Sequence, residues 1–299
     1  MVKIHHVHHS GANTPYFRKV LECLSKKTDV YLRSSGLTPY LQEGNKDEDV
    51  LCYQTFPDEN HMGKFNPNLV KQTDELFKAF TGHKILICTF DDGERDSYTR
   101  FPDSKELPRI KCFPSKRFLD KYNVVLLSTI STRGIGKTHH DEFERKIKVS
   151  CKFGGGKYYH TVRESVLEQL TKFFPGLANH NFIKGWGEYK KDMQQTLIAI
   201  GAPGWGQYSG TYQLALRTGA LLFAYECLND IQFLPHAVLE DGKDFVSYNL
   251  FNFKYKLQWL LDNPNEIERI RKNGRKAFKK GYNVQKSADL FYQYLKGVL

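Results

Sequence analysis

Apolar residues along the chain fall into short runs, several flanked by helical spacing. In the first half the strand-like runs are Lys3 to His8, Asp29 to Leu32, Val50 to Tyr53, Lys84 to Thr89 and Val124 to Ser128. Between the first two, Thr14 and Pro15 supply a cap and a first helical residue, and Phe17, Val20, Leu21 and Leu24 repeat on one helix face. Strands alternating with helices predict a parallel sheet with covering helices. After a polar stretch from Arg133 to Arg145 the pattern restarts with Ile147 to Phe153 and the turn Gly154-Gly155-Gly156. Thr161 to Glu164 has capping-box spacing, and Val162, Val166, Leu167, Leu170, Phe173 and Phe174 give an apolar helix face. Further strands are expected at Asn181 to Lys184, Thr196 to Ile200, Ala220 to Ala224 and Phe245 to Val246. Asn263-Pro264-Asn265-Glu266 opens a basic helix ending near Gly281, and Leu290, Phe291, Tyr294 and Leu295 mark a last amphipathic helix. The pattern predicts an α/β protein of two Rossmann-like domains, 1–145 and 146–299, with the last helix free to pack back on the first domain.

The most specific local signal is the segment from Gly201 to Glu226. A glycine-rich turn through Gly206 and Tyr208 reaches Ser209, a candidate N-cap; a short helix beginning Gly210-Thr211 closes at Gly219, before an apolar strand. Unpaired N–H groups in a first helical turn, together with the helix dipole, attract phosphate. A diphosphate is the ligand this suggests, and a nucleotide sugar the specific form.

Composition narrows the class. At 299 residues with 40% hydrophobic and 26% charged residues, the chain is that of a globular protein with material for two cores. No apolar run is long enough to span a bilayer, and the N-terminus reads as an opening strand rather than a signal peptide, so a cytoplasmic location is expected. The six cysteines are dispersed, with no C-x-x-C pair, as expected of reduced buried thiols. The net charge of +11 suits an acidic partner. Much of it lies on the C-terminal helix in Arg269, Arg271, Lys272, Arg275, Lys276, Lys279 and Lys280, which reads either as a solvated face or as a polyanion or nucleic-acid surface. Nucleic acid is the less expected partner.

From about residue 147 onward the chain resembles GT-B glycosyltransferases, most closely the exostosin-like group (family 47) and its relatives in large algal viruses. Ser209, Ala215, Leu216, Gly219, Leu234, Pro235, Asp241, Gly242, Phe245 and Asn263-Pro264-Asn265-Glu266 follow the family order. Thr211 and Leu214 stand where the family often has Arg and Glu, at positions that usually touch diphosphate or ribose. The resemblance implies two Rossmann-like domains facing across a cleft. It also implies an inverting, metal-independent transferase without a cofactor, placed in the host cytoplasm if the chain is viral. By the same resemblance the donor is expected to be a UDP-sugar, with UDP-xylose one candidate, held by the C-terminal half, and the acceptor a glycan or glycoprotein held by the N-terminal half.

Individual residues admit a chemical and a plainer reading. Arg163, just past three glycines in a first helical turn, suits a diphosphate or lies on the surface. Glu226 or Glu240 could take ribose hydroxyls. Trp186, with Tyr189, could stack on uracil or close the core. His5, His6, His8 and His9 lie on and just after the first strand: His8 or His9 suits a general base, whereas adjacent histidines on a strand point to opposite faces and make a poor metal site. Asp91 and Asp92 follow a parallel strand, where α/β folds place ligands; they suit a base, a sugar contact, a metal element of the GT-A kind, or a capped turn before Gly93. Asp92 is the first choice of base, with His9 second. Ser131 to Thr138 imitates a P-loop but has serine where the first glycine belongs, so a linker is the better reading.

Overall fold

The computed structural model describes residues 1–8, 15–43, 47–54, 67–88, 106–111, 114–121, 124–125, 144–153, 161–179, 185–203 and 209–299. It forms two compact units, Met1–Thr132 with Asn283–Leu299, and Arg133–Tyr282. Arg145 thus belongs to the second unit, just across the seam expected at 145, and the last helix packs back on the first unit, as the sequence left open.

The first unit carries a six-stranded sheet in the order β2-β1-β3-β4-β5-β6, parallel throughout. Its strands are β1 (Val2–His8), β2 (Val30–Gly36), β3 (Val50–Gln54), β4 (His83–Cys88), β5 (Arg109–Lys111) and β6 (Val124–Val125). Period-two alternation sends Ile4, Val50, Cys52, Ile85 and Ile87 to one face, against Phe17, Val20 and Leu24 of α1 (Pro15–Leu24) and Phe291 and Leu295 of α10 (Val284–Val298). Val7, Leu51, Tyr53 and Leu86 go to the other face, against α2 (Leu37–Gln42) and α3 (Pro67–Ala79). The apolar stripe of α10 therefore finds its complement beside α1, which is why the chain's end belongs to this unit.

One buried polar group on the α1 face makes stability depend on pH. His6 is 5% exposed; its ring lies 3.0 Å from Gln54 Oε1 and 3.3 Å from Ser34 Oγ, and burial pulls its pKa from 6.5 down to about 4. The folded state holds the ring neutral while the unfolded chain protonates it below 6.5. Stability is therefore untouched above that pH and declines as pH falls towards 4, by about 3 kcal/mol in all. Urea titrations between pH 7 and 4 should show this loss, and His6→Gln should flatten it.

The second unit repeats the winding. Its sheet runs β11-β10-β9-β7-β8, again parallel, from β7 (Ile147–Ser150), β8 (Ala178–Asn179), β9 (Thr196–Gly201), β10 (Leu221–Tyr225) and β11 (Val246–Tyr248). Val149, Cys151, Ile198, Ile200, Phe223 and Tyr248 meet α5 (Thr161–Phe173), α8 (Phe253–Asp262) and part of α9 (Pro264–Gly281). α6 (Trp186–Gln195) and α7 (Gly210–Thr218) cover the other face. The interval expected as a strand at Asn181 to Lys184 lies outside the described residues; the pairing observed is two residues upstream, at β8.

A glycine fixes how α9 sits. A Cβ at Gly274 would lie 2.2 Å from the Asp244 carbonyl oxygen and 2.9 Å from Leu216. Backbone cannot yield as a side-chain tip can, so Gly274→Ala should destabilise this unit by about 2–3 kcal/mol, read as a lower denaturation midpoint.

Candidate functional site

In each unit the strand order reverses beside the first strand: between β1 and β3, and between β7 and β9. The crevice outside the carboxyl ends of such neighbouring strands is where open α/β sheets bind ligands.

In the second unit that edge consists of Cys151 to Phe153 after β7, and Ala202 and Pro203 after β9. Arg163, in the first turn of α5, reaches it. The side chain is largely buried; Nε donates to the Pro203 carbonyl at 2.8 Å, and the guanidinium carbon lies 5.4 Å from the centre of the Phe153 ring. Both contacts fix the orientation of the planar fork.

The α7 terminus has the expected caps. Ser209 Oγ accepts from Thr211 N at 3.4 Å, and Gly219 ends the helix in the left-handed region at φ 76°. Thr211 Oγ1 meets Tyr189 Oη at 2.8 Å and is buried, so this hydroxyl turns inward where the resembled family often has an arginine. Tyr189 is thereby engaged with the start of α7, and burial pushes its pKa up to about 12. Trp186 opens α6 with Gly185 as N-cap, so the turn expected around it is a helix start. Gly206 and Tyr208 lie outside the described residues.

Lys152 is the residue that pattern reading missed. Its side chain is only 3% exposed, Nζ lies 3.8 Å from Asp192 Oδ1, and burial lowers its pKa against the opposing pull of that carboxylate. Ser150 Oγ donates to the other oxygen of Asp192 at 3.2 Å. Alternation along the strand places Ser150 and Lys152 on the α6 side and Phe153 with Arg163 on the α5 side, so the edge carries a cation from each face. A lysine between Cys151 and Phe153, just before three glycines, was the available signal.

The two carboxylates proposed for ribose separate. Glu226 directly follows β10, is exposed, and accepts from Asn249 Nδ2 at 3.1 Å, at the carboxyl edge of the sheet. Glu240 precedes β11. Since Phe223 pairs in parallel with Val246, Glu240 lies towards the amino ends of the strands, where it pairs with Lys243 at 2.6 Å. The structure does not bring Glu240 to the edge that holds Arg163.

In the first unit His8 ends β1. Its Nδ1 is buried and accepts or donates no hydrogen bond, and its ring lies 5.5 Å from that of His6. Register aligns His8 with Gln54 and Gln54 with Ile87, so the chain leaving β4 towards Asp91 and Asp92 starts from the same carboxyl edge as His8. Asp91, Asp92 and His9 lie outside the described residues, as does the P-loop-like stretch from Ser131 to Thr138.

The basic helix α9 is largely occupied with its own neighbours. Arg269 pairs with Glu266 at 2.7 Å, Arg271 with Glu268 at 2.6 Å and Lys272 with Glu268 at 3.7 Å, while Arg275 is buried. This weakens the reading of the helix as a nucleic-acid surface. No helix among the described residues is long and apolar enough to cross a membrane.

No protein-family model matches the chain, and no curated protein matches it by sequence. Solved structures do. Anabaena HepE in complex with UDP is 10% identical, with 99% of this chain and 100% of that one covered at a TM-score of 0.58. Sucrose-phosphate synthase from Thermosynechococcus elongatus is 9% identical, with 99% of each chain covered at 0.59. A glycosyltransferase from Rickettsia africae is 8% identical, with 99% and 98% covered at 0.58. At such identities the likeness shows the fold, which is the α/β fold of GT-B glycosyltransferases.

Proposed function

We propose that the chain transfers a sugar from a nucleotide donor, a UDP-sugar, to a hydroxyl of a glycan or glycoprotein. The observation that carries this reading is Arg163, held by the Pro203 carbonyl at the strand-order reversal of the second unit. Lys152 supports it from the other face of the sheet, as does the capped terminus of α7. HepE, over its whole length, shares the fold and is seen with UDP, with UDP and glucose, and with UDP-glucose. The exostosin-like motif order from Ser209 to Glu266 adds the finer terms: an inverting reaction, with UDP-xylose among the donors to try.

In this mechanism the diphosphate lies along the carboxyl edge of β7 and β9, with Arg163 and Lys152 balancing charge as it departs. Glu226, with Asn249, receives the ribose hydroxyls. A general base takes the acceptor's proton as the oxygen attacks the anomeric carbon. Fixed cations and a helix dipole supply what a divalent ion supplies elsewhere, so the diphosphate needs no metal; adding manganese should leave initial rates unchanged.

The test is UDP binding by calorimetry. Arg163→Ala should weaken it by about 1.5–3 kcal/mol, roughly ten- to a hundredfold, in a protein with native circular dichroism. Unchanged affinity would remove Arg163 from the site.

A further inference from the structure

A second polar cluster lies on the α2 face of the first unit, apart from everything used above. His5 sits mid-strand on β1, Glu43 follows α2 directly, and Glu48 comes two residues before β3. We propose that His5, Glu43 and Glu48 form a structural site for one divalent transition-metal ion, zinc foremost.

One potential ligand atom from each residue lies within 4.8 Å of the other two. His5 is fully buried and the Glu48 side chain 2% exposed, with Nδ1 and Oε1 3.0 Å apart. Neighbouring ligands of one tetrahedral ion, at bonds of about 2.0–2.2 Å, stand roughly 3.3–3.6 Å apart, so modest rotamer changes close the set. The imidazole's other nitrogen lies 2.7 Å from Ser35 Oγ. When Nε2–H donates there, the Nδ1 lone pair faces a carboxylate oxygen, an arrangement that calls for a cation between them. A hydrogen bond of that kind from the far ring nitrogen is the usual way a ligating histidine is oriented.

Charge and satisfaction point the same way. Two carboxylates share one guanidinium: Arg33 lies 2.9 Å from Glu43 Oε1 and 3.6 Å from Glu48 Oε1. Of the remaining oxygens, Glu43 Oε2 is buried and accepts no hydrogen bond, while the Glu48 carboxylate faces the hydroxyl of the buried Tyr40. A buried carboxylate oxygen left without a partner is costly, and a cation bound to it removes the cost. One nitrogen and two carboxylates suit zinc better than calcium or magnesium, which prefer all-oxygen sets. The competing arrangement is a bare pair in which Nδ1–H and the Tyr40 hydroxyl both donate to Glu48, which leaves Glu43 Oε2 unanswered.

The experiment uses the untagged full chain. Elemental analysis of the purified protein should find about one equivalent of zinc. Chelation should lower the melting temperature by about 5–10 °C, with recovery on adding zinc at a hundredfold excess over its dissociation constant. Cobalt loaded in its place should give the visible bands of a low-coordinate site. Glu43→Gln, whose carboxylate is partly exposed and whose loss the fold should survive, should weaken metal binding at least about tenfold, as should Glu48→Gln if it folds. A protein that takes up neither zinc nor cobalt, or one whose uptake is unaffected by Glu43→Gln, would overturn the proposal; the first result would leave the bare pair.

Discussion

Arg145→Ala should destabilise the second unit severely. Its guanidinium donates to the carbonyls of Gln194, Thr196, Thr218 and Gly219 at 2.7–3.0 Å, and to that of Met193 at 3.5 Å. One planar group thus closes the last turns of α6 and α7, the helix that carries Ser209. Carbonyls at helix ends have no partner within the helix, and the dipole there favours a cation. Burial, with Arg271 and Arg275 nearby, lowers the Arg145 pKa to about 10, so the group remains charged at neutral pH. Removing it leaves several buried acceptors without donors, a loss of about 3–5 kcal/mol against a typical stability of about 5–15 kcal/mol. Arg145→Lys should recover little, because a single ammonium cannot reach both helix ends. Chemical denaturation would show the loss, and a midpoint within error of the wild type would refute the clamp.

The second large effect is catalytic. Asp92→Asn should reduce turnover by about 10²–10⁴ while leaving UDP-sugar affinity nearly intact, because a base acts only on the acceptor hydroxyl. β4, which precedes Asp92 in sequence, ends at the carboxyl edge that also carries His8, and Asp91, His9 and His8 are the alternatives. Single-turnover rates with saturating acceptor would separate them. Near-normal turnover in Asp92→Asn, His9→Ala and His8→Ala alike would place the base elsewhere.

The two halves were legible because parallel sheets leave continuous apolar runs, and Thr196 to Gly201 or Leu221 to Tyr225 admit little else. The caps of α7 were equally plain, since Ser209 and Gly219 are the residue types those positions demand. What sequence could not show depended on partners distant in the chain. Arg145 looked like linker because the carbonyls it binds are 48 to 74 residues away. Lys152 looked like a strand's polar end until Asp192 of α6 was placed beside it. Glu240 looked as suitable as Glu226, because only the parallel register of β10 and β11 shows that the two lie at opposite ends of the sheet. His5 was discounted as a ligand because its histidine neighbours point elsewhere; the carboxylates that meet it come from the segment after α2.

The most direct measurement is calorimetric titration of the full chain with UDP and with UMP. If the edge formed by Arg163, Lys152 and the α7 terminus holds a diphosphate, UDP should bind one to one and at least about tenfold tighter than UMP, and Arg163→Ala should remove most of that difference. Equal affinities for the two nucleotides, or no binding of either, would contradict a nucleotide-sugar donor at this site.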